Sequence, residues 1–288
     1  MITVFTPVYN RGHLLNDIYN SLCNQTYKDF EWIIVDDGSN DNTKYVVEKF
    51  PKSKYPIRYF FQNNGGKHRA INHGVQKAKG DLFLILDSDD ILPNDSLNII
   101  AHYYNQIKNN PAFGGVVGYI AHKNGSIIGK CKKKGVFDST YTEFRNIIKG
   151  KGDMCEVFKT HVLKEFPFPE IEGEKFVPEA LVWNRISGKY KLRYFPDIIY
   201  YRDYLNGGLT DKIIKIRMNS PIASTMCYQE LSNSSIPFSL RIKASINYWR
   251  FRLCGSQHSF PKINPIWCIS LPVGGLMHLM DLIKTQQD

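Results

Sequence analysis

The six cysteines of this chain (Cys23, Cys131, Cys155, Cys227, Cys254 and Cys268) include no CxxC pair, which argues against a zinc cluster and against a compact disulfide scaffold. They read as reduced thiols of a cytoplasmic protein. The histidines show no HExxH pairing, and no GxSxG elbow occurs, so neither a zinc protease nor a serine hydrolase is indicated. Asn64-Gly65-Gly66-Lys67 lacks both GxGxxG and Walker spacing, which removes dinucleotide dehydrogenases and P-loop enzymes. The start, Met1-Ile2-Thr3-Val4-Phe5, has no basic n-region and no small-residue cleavage site. No stretch is read as reaching a spanning length without charge, and there is no internal repeat or low-complexity tract. The expectation is a soluble protein, or one peripheral at the inner face of the cell membrane.

What is present is ample apolar content, 43% of 288 residues, enough for a packed core. The net charge of +10 is concentrated late: from Lys212 onward nine Lys and Arg face only Glu230, Asp281 and Asp288. Residues 236–253 set basic side chains beside aromatic ones, which suits an anionic membrane surface, and Leu271 to Ile283 adds a second apolar stretch. A helical pair packed on the rest of the chain, or a homodimer contact, suits them equally. Nucleic acid is not expected, since no binding motif accompanies the charge.

Three strand-helix alternations fill the first third. Ile2–Phe5 stops at Thr6-Pro7, Glu31–Val35 ends in Asp36-Asp37-Gly38-Ser39, and Ile57–Phe61 runs into Asn63-Asn64-Gly65-Gly66. A fourth strand follows Gly80-Asp81 and ends in Asp87-Ser88-Asp89-Asp90. Such alternation predicts a parallel sheet covered on both faces, with the four strand-end loops converging on one crevice. If strand geometry persists, Asp87 and Asp89 face the same side, where a divalent cation could neutralise them and a diphosphate-bearing substrate could sit.

Further along, Lys123-Asn124-Gly125 predicts a hairpin, and Thr140-Tyr141-Thr142-Glu143 a helix-capping box. Pro178 fits the first turn of a helix over 179–186, and 192–195 with 198–201 read as a strand pair around Pro196-Asp197. Helices are expected over 213–231, 238–253 and 274–283, with breaks at Pro237, Pro261, Pro265 and Pro272.

At the strand ends the sequence resembles the family 2 glycosyltransferases. The residues that carry this are Thr6-Pro7-Val8-Tyr9-Asn10-Arg11, Val35-Asp36-Asp37-Gly38-Ser39, Asn64-x-Gly66-x3-Ala70-x-Asn72-x-Gly74, and Gly80-Asp81 leading to Asp87-Ser88-Asp89-Asp90. The resemblance implies an α/β, GT-A-type (Rossmann-like) mixed and mainly parallel sheet flanked by helices, with a helical C-terminal appendage. It places a GT-A domain at 1–210, with a nucleotide-sugar half at 1–110 and an acceptor half at 111–210, and a helical region at 211–288. It implies transfer of a sugar from a nucleotide-sugar donor, UDP-linked, to a glycan or lipid-linked acceptor, by an inverting, metal-dependent enzyme.

By the same resemblance Thr6, Pro7, Tyr9 and Arg11 line the nucleotide, and Asp36 or Asp37 accepts from a uracil-like base. Lys67, or else Arg69, lies near the base or diphosphate, and Ser88 packs under the ribose or diphosphate. Asp87-Ser88-Asp89 matches the DxD signature: Asp89 binds Mn or Mg and acts in catalysis, while Asp87 contacts metal or ribose. The general base falls on Glu179 in Pro178-Glu179-x-x-Val182-Trp183-x-Arg185, with Glu172 and Glu174 as rivals and Trp183 as an acceptor-stacking candidate. Here the sequence departs from the family's Glu-Asp pair, which leaves open a catalytically silent nucleotide-sugar binder or scaffold. Tyr201-Arg202 and Gly207-Gly208-Leu209-Thr210 resemble the region where a loop closes over the diphosphate in some members.

Overall fold

A computed structural model describes residues 1–51, 54–202, 212–255 and 260–285. The Gly207–Thr210 expectation therefore lies outside the described residues. The chain divides into two compact units, Met1–Pro167 with Ile186–Asp203, and Phe168–Arg185 with Tyr204–Asp288.

The first unit is built on β1 (Ile2–Val8), β2 (Phe30–Asp36), β3 (Ile57–Phe61), β4 (Leu82–Ile85), β5 (Phe113–Ala121), β6 (Phe137–Ser139), β7 (Met154–Lys159) and β8 (Lys191–Tyr201). These form one sheet in the order β3-β2-β1-β4-β7-β5-β8-β6. The first four are mutually parallel, β7 runs antiparallel to both β4 and β5, and β8 is parallel to β5. The sheet is thus mixed and mainly parallel, flanked by helices that include α1 (Leu15–Cys23), α2 (Thr43–Glu48), α3 (Lys67–Lys77), α4 (Ser96–Asn105), α5 (Tyr141–Asn146) and α6 (Thr160–Glu165). Every residue of β2 is buried, as a strand covered on both faces requires. Gly74 lets α3 approach β1 closely, because a Cβ there would lie 2.3 Å from Phe5 Cε2. The capping box is present, Glu143 N–H donating to the Thr140 hydroxyl.

Four local expectations need correction. β1 continues through Pro7 to Val8. The Phe5 carbonyl bonds toward β4 and the Val8 carbonyl toward β2, so Pro7 faces the β4 side, where pairing has ended at Phe5 and no N–H is needed. The hairpin turn exists, with Gly125 at φ 85 and His122 N–H donating to the Ser126 carbonyl. Its returning arm makes two isolated bridges, Ile127 to Ala121 and Lys130 to Lys151, and no strand, because β7 and β8 already flank β5. The supposed strand pair around Pro196 is the single strand β8, with the register shift opposite Gly118 absorbing Pro196-Asp197. Finally, β7 was not anticipated at all; it carries Lys159, buried with its ammonium donating to the carbonyls of Lys108 and Asn110.

The second unit holds most of α7 (Glu179–Ser187), then α8 (Ile213–Met218), α9 (Pro221–Asn233), α10 (Phe238–Arg252), a 3-10 turn Pro265–Ser270 and α11 (Leu271–Thr285). The helix expected over 213–231 is split in two because Pro221 opens α9 at its first position. Pro272 breaks nothing, since it sits in the first turn of α11. Pro265–Thr285, 21 residues, is consequently long and apolar enough to cross a membrane, contrary to the expectation that no stretch is.

Candidate active site

Four parallel strands deliver their carboxyl ends to one edge of the sheet. Two loops there are tied together: Asn10 N–H donates to Ser39 Oγ at 2.8 Å, Asn40 N–H to Asn10 Oδ1 at 2.8 Å, and Gly12 N–H to Asp41 at 3.0 Å. Asn10 adopts φ 53, a left-handed conformation that asparagine tolerates. The β3-end loop is held by Asp37. Its carboxylate accepts from the Gly65 and Gly66 N–H groups at 2.9 and 2.8 Å and from Gln62 at 2.8 Å. Asp36 accepts from Ser39 N–H at 2.7 Å and from the Tyr59 hydroxyl at 2.7 Å. Both acids are buried and pin loops, so any contact of either with a base would be shared with these bonds.

The acids after β4 sit on a turn, closed by Asp90 N–H to the Asp87 carbonyl at 3.1 Å, and not on a continued strand. Each has a basic partner. Asp87 meets Lys67 Nζ at 2.6 Å and Arg202 Nη2 at 3.0 Å. Asp89 meets Arg11 Nη1 at 2.8 Å, and the same Arg11 nitrogen lies 3.4 Å from Ser88 Oγ. Asp90 accepts from Arg202 Nε at 2.9 Å and from the Tyr200 hydroxyl at 2.7 Å. Tyr200 in turn accepts from Asp87 N–H at 2.9 Å.

Arg202, expected only to belong to a region that closes over the diphosphate, ties the acids together. Its third arm reaches Asp153 at 3.1 Å, so one guanidinium joins acids from two loops. Topology explains the meeting. β5 and β8 run in the direction of β4, and β7 runs opposite, so the end of β8 and the start of β7 share an edge with the end of β4. An isolated bridge between Ile91 and Tyr201 fixes the approach. The available signal was three acids without a basic neighbour in sequence, which a buried cluster cannot tolerate.

Electrostatics follow from that arrangement. Burial tends to raise the Asp87 carboxyl, but Lys67 and Arg202 overcome it and hold it below the usual carboxylate range. Asp90, with less compensation, is pushed up to about 6 by burial. Burial also works against the Arg202 charge, yet Tyr200, Asp87 and Asp90 around it keep it more firmly protonated than usual.

Among the residues expected to line a nucleotide, Pro7 is half-buried and Tyr9 is 47% exposed at the crevice loops. Thr6 has a fully buried side chain, with its hydroxyl accepting the Trp32 indole N–H at 3.0 Å. Among the described residues no group of three His, Cys, Asp or Glu side chains is disposed to hold a metal. Asp87 and Asp89 supply hard carboxylate oxygens, a donor set that suits Mg or Mn when substrate phosphates complete the coordination.

The family model Glycosyl transferase family 2 matches residues 3–166, which contain all four strand-end loops. The chain belongs to glycosyl transferase family 2. Among relatives of this family 2 chain, a GalNAc(5)-diNAcBac-PP-undecaprenol beta-1,3-glucosyltransferase of Campylobacter jejuni is 30% identical over 187 residues, 63% of this chain and 58% of that protein. Glycosyltransferase GlyG of Streptococcus pneumoniae is 37% identical over 113 residues, 39% of this chain and 36% of that one. The chain thus spans little more than half of the first relative and about a third of the second. TarS 1-349 of S. aureus, solved in complex with UDP-GlcNAc, shares the fold at TM-score 0.62 and 20% identity, over 88% of this chain and 72% of that one.

The second unit of this family 2 chain contains Glu179, half-buried in the first turn of α7. Its rival Glu174 is a structural group: buried, it accepts from the Ile222 and Ala223 N–H groups at 2.6 and 2.8 Å and so caps α9. Glu172 is exposed. Trp183 is only 4% exposed and packs edge-on to Phe168, which makes it a core residue of this unit. Arg185 forks onto Glu230 at 2.6 and 3.0 Å.

Proposed function

We propose that the chain transfers a sugar from a nucleotide-sugar, UDP-linked, to a hydroxyl of a glycan or lipid-linked acceptor, with inversion. The observation that carries this reading is the Asp87-Ser88-Asp89 turn set among Arg11, Lys67 and Arg202 at the convergence of the strand-end loops. The TarS structure holds UDP-GlcNAc, and a mannosyltransferase of Pyrobaculum calidifontis with the same fold (TM-score 0.60, 16% identity, over 97% of this chain and 87% of that one) was solved with GDP-Man and Mn2+. Thr6, Pro7, Tyr9 and Arg11 would line the nucleotide, Asp36 or Asp37 would meet the base, Lys67 would lie near the base or diphosphate, and Ser88 under the ribose or diphosphate. Asp89 and Asp87 would hold Mn or Mg, which as a Lewis acid stabilises the charge that grows on the leaving diphosphate.

In the transfer step the acceptor oxygen attacks the anomeric carbon from the face opposite the diphosphate. The bond to the diphosphate oxygen breaks with its electron pair, and Glu179 takes the acceptor proton. The six free thiols fit a cytoplasmic setting.

Screening nucleotide-sugars for metal-dependent release of the nucleoside diphosphate tests this. Turnover with one donor, lowered at least ~100-fold by Asp89→Ala, is expected. Donor binding without release across the panel would overturn it in favour of a silent binder. Glu179→Gln should keep donor affinity and lose transfer, and full transfer by that variant would remove Glu179 from its role.

A further inference from the structure

The last helix of the second unit has its polarity reversed. Its inward side carries Asp281, 5% exposed, and the half-buried His278. Arg250 of α10 forks onto Asp281, with Nη2 2.7 Å from Oδ1, and Cys254 lies 3.6 Å from His278 Nδ1. Its outward side carries Val273, Leu276, Leu279, Met280 and Ile283, each 49–61% exposed. The preceding turn adds Ile266 at 67% and Ile269 at 82%. A helix in water buries its leucines and exposes its aspartate. This one does the opposite.

The helix is fixed in that orientation. At Gly274 a Cβ would stand 2.6 Å from Trp249 Cβ and 2.7 Å from the Ile246 carbonyl, so α11 and α10 are in backbone contact along the polar side. Rotating α11 to bury the leucines would break the Arg250–Asp281 fork and leave two charges unpaired.

Width and charge identify the occupant. At about 100° per residue the outward apolar positions, from Leu271 and Leu282 round to Val273, cover roughly 200° of the helix. A seam for a second copy of this chain would be a narrow stripe flanked by charged positions. Here the apolar arc is far wider than such a stripe, with Pro272 and Gly275 lying inside it and Lys284 at its border. The exposed Lys262 and Lys284 bracket the apolar segment, where long side chains can keep their ammonium groups at the level of phosphate headgroups.

We propose that the outward face of α11 and the turn before it insert into the interfacial layer of an anionic lipid bilayer, with the helix axis along the surface. Although Pro265–Thr285 could span by length, crossing would carry Arg250 or Asp281 into hydrocarbon without the other, whereas lying flat keeps the fork intact. The inference rests on these helices alone and stands whether or not sugar transfer is found.

The full chain is sedimented with sucrose-loaded vesicles of phosphatidylcholine, alone or mixed with phosphatidylglycerol. Binding to the mixed vesicles, weak binding to phosphatidylcholine, and release by alkaline carbonate are expected. The double substitution Leu276→Glu with Ile283→Glu should lower the bound fraction at least ~10-fold, with circular dichroism and thermal midpoint unchanged. Lys262→Glu with Lys284→Glu should weaken binding and its salt dependence. Wild-type chain that stays in the supernatant, or glutamates that change nothing, would overturn the proposal. A dimer by light scattering that the glutamates dissociate, without vesicle binding, would assign the face to a second copy instead.

Discussion

At the scale of single residues, Arg202 matters most, because it pairs with Asp87, Asp90 and Asp153. Truncating it to Met leaves Asp90 buried beside Asp87 without a counter-charge, and we expect a loss of about 3 kcal/mol in urea unfolding at pH 7. Asp90 itself carries a pH signature. Its carboxyl lies at about 6 against an ordinary 3.8, so the folded state binds this proton more tightly than the unfolded chain. The Asp90 contribution is full below about pH 4 and is lost as pH rises through about 6, a change of ~3 kcal/mol for a raise of this size. Asp87, held low, runs the other way and loses its contribution as pH falls. In metal-free buffer, Asp90→Asn should therefore gain stability relative to the parent at pH 7 compared with pH 4. An equal difference at both values would show that Asp90 ionises normally. Asp37→Ala should also be costly, because the Gly65 and Gly66 N–H groups lose their acceptor; about 2 kcal/mol is expected from the same unfolding measurement.

At the scale of elements, the packing of α3 on β1 depends on Gly74. Phe5 is fully buried and stacked on Phe83 with ring centroids 5.0 Å apart, so it cannot yield to a new methyl group. Gly74→Ala should cost about 1–3 kcal/mol by thermal or urea unfolding. Gly74 was legible as a core-facing helix position, as were β1 to β4, because an apolar run ending in turn residues is local information. β7 was not legible. Its Glu156 and Lys159 look wrong for a central strand until Lys159 is seen to find the carbonyls of Lys108 and Asn110. Missing β7 meant missing the direction of β8, and with it the reason Tyr200 and Arg202 reach the acids. The acids that end β4 stand next to one another in sequence; the cation that joins Asp87 and Asp90 comes from the end of β8 and depends on strand order, which no local pattern encodes.

At the scale of the whole molecule, the acid-base cluster belongs to the first unit and the basic helices to the second. Adding a nucleoside diphosphate should slow amide exchange in the strand-end loops of β1 to β4 and leave α10 and α11 unchanged; protection confined to α10 and α11 would contradict the site. The distribution of charge adds a consequence. Arg11, Lys67 and Arg202 balance Asp87, Asp89 and Asp90 within contact distance, whereas much of the excess of +10 lies beyond Lys212. Ionic strength should therefore act as a selector between two attachments. At about 1 M salt the screening length falls to ~3 Å, shorter than the reach from a lysine to a headgroup but comparable to the contacts inside the cluster. Brine should then strip the chain from an anionic surface while leaving the crevice assembled, and the eluted protein should still bind its nucleotide.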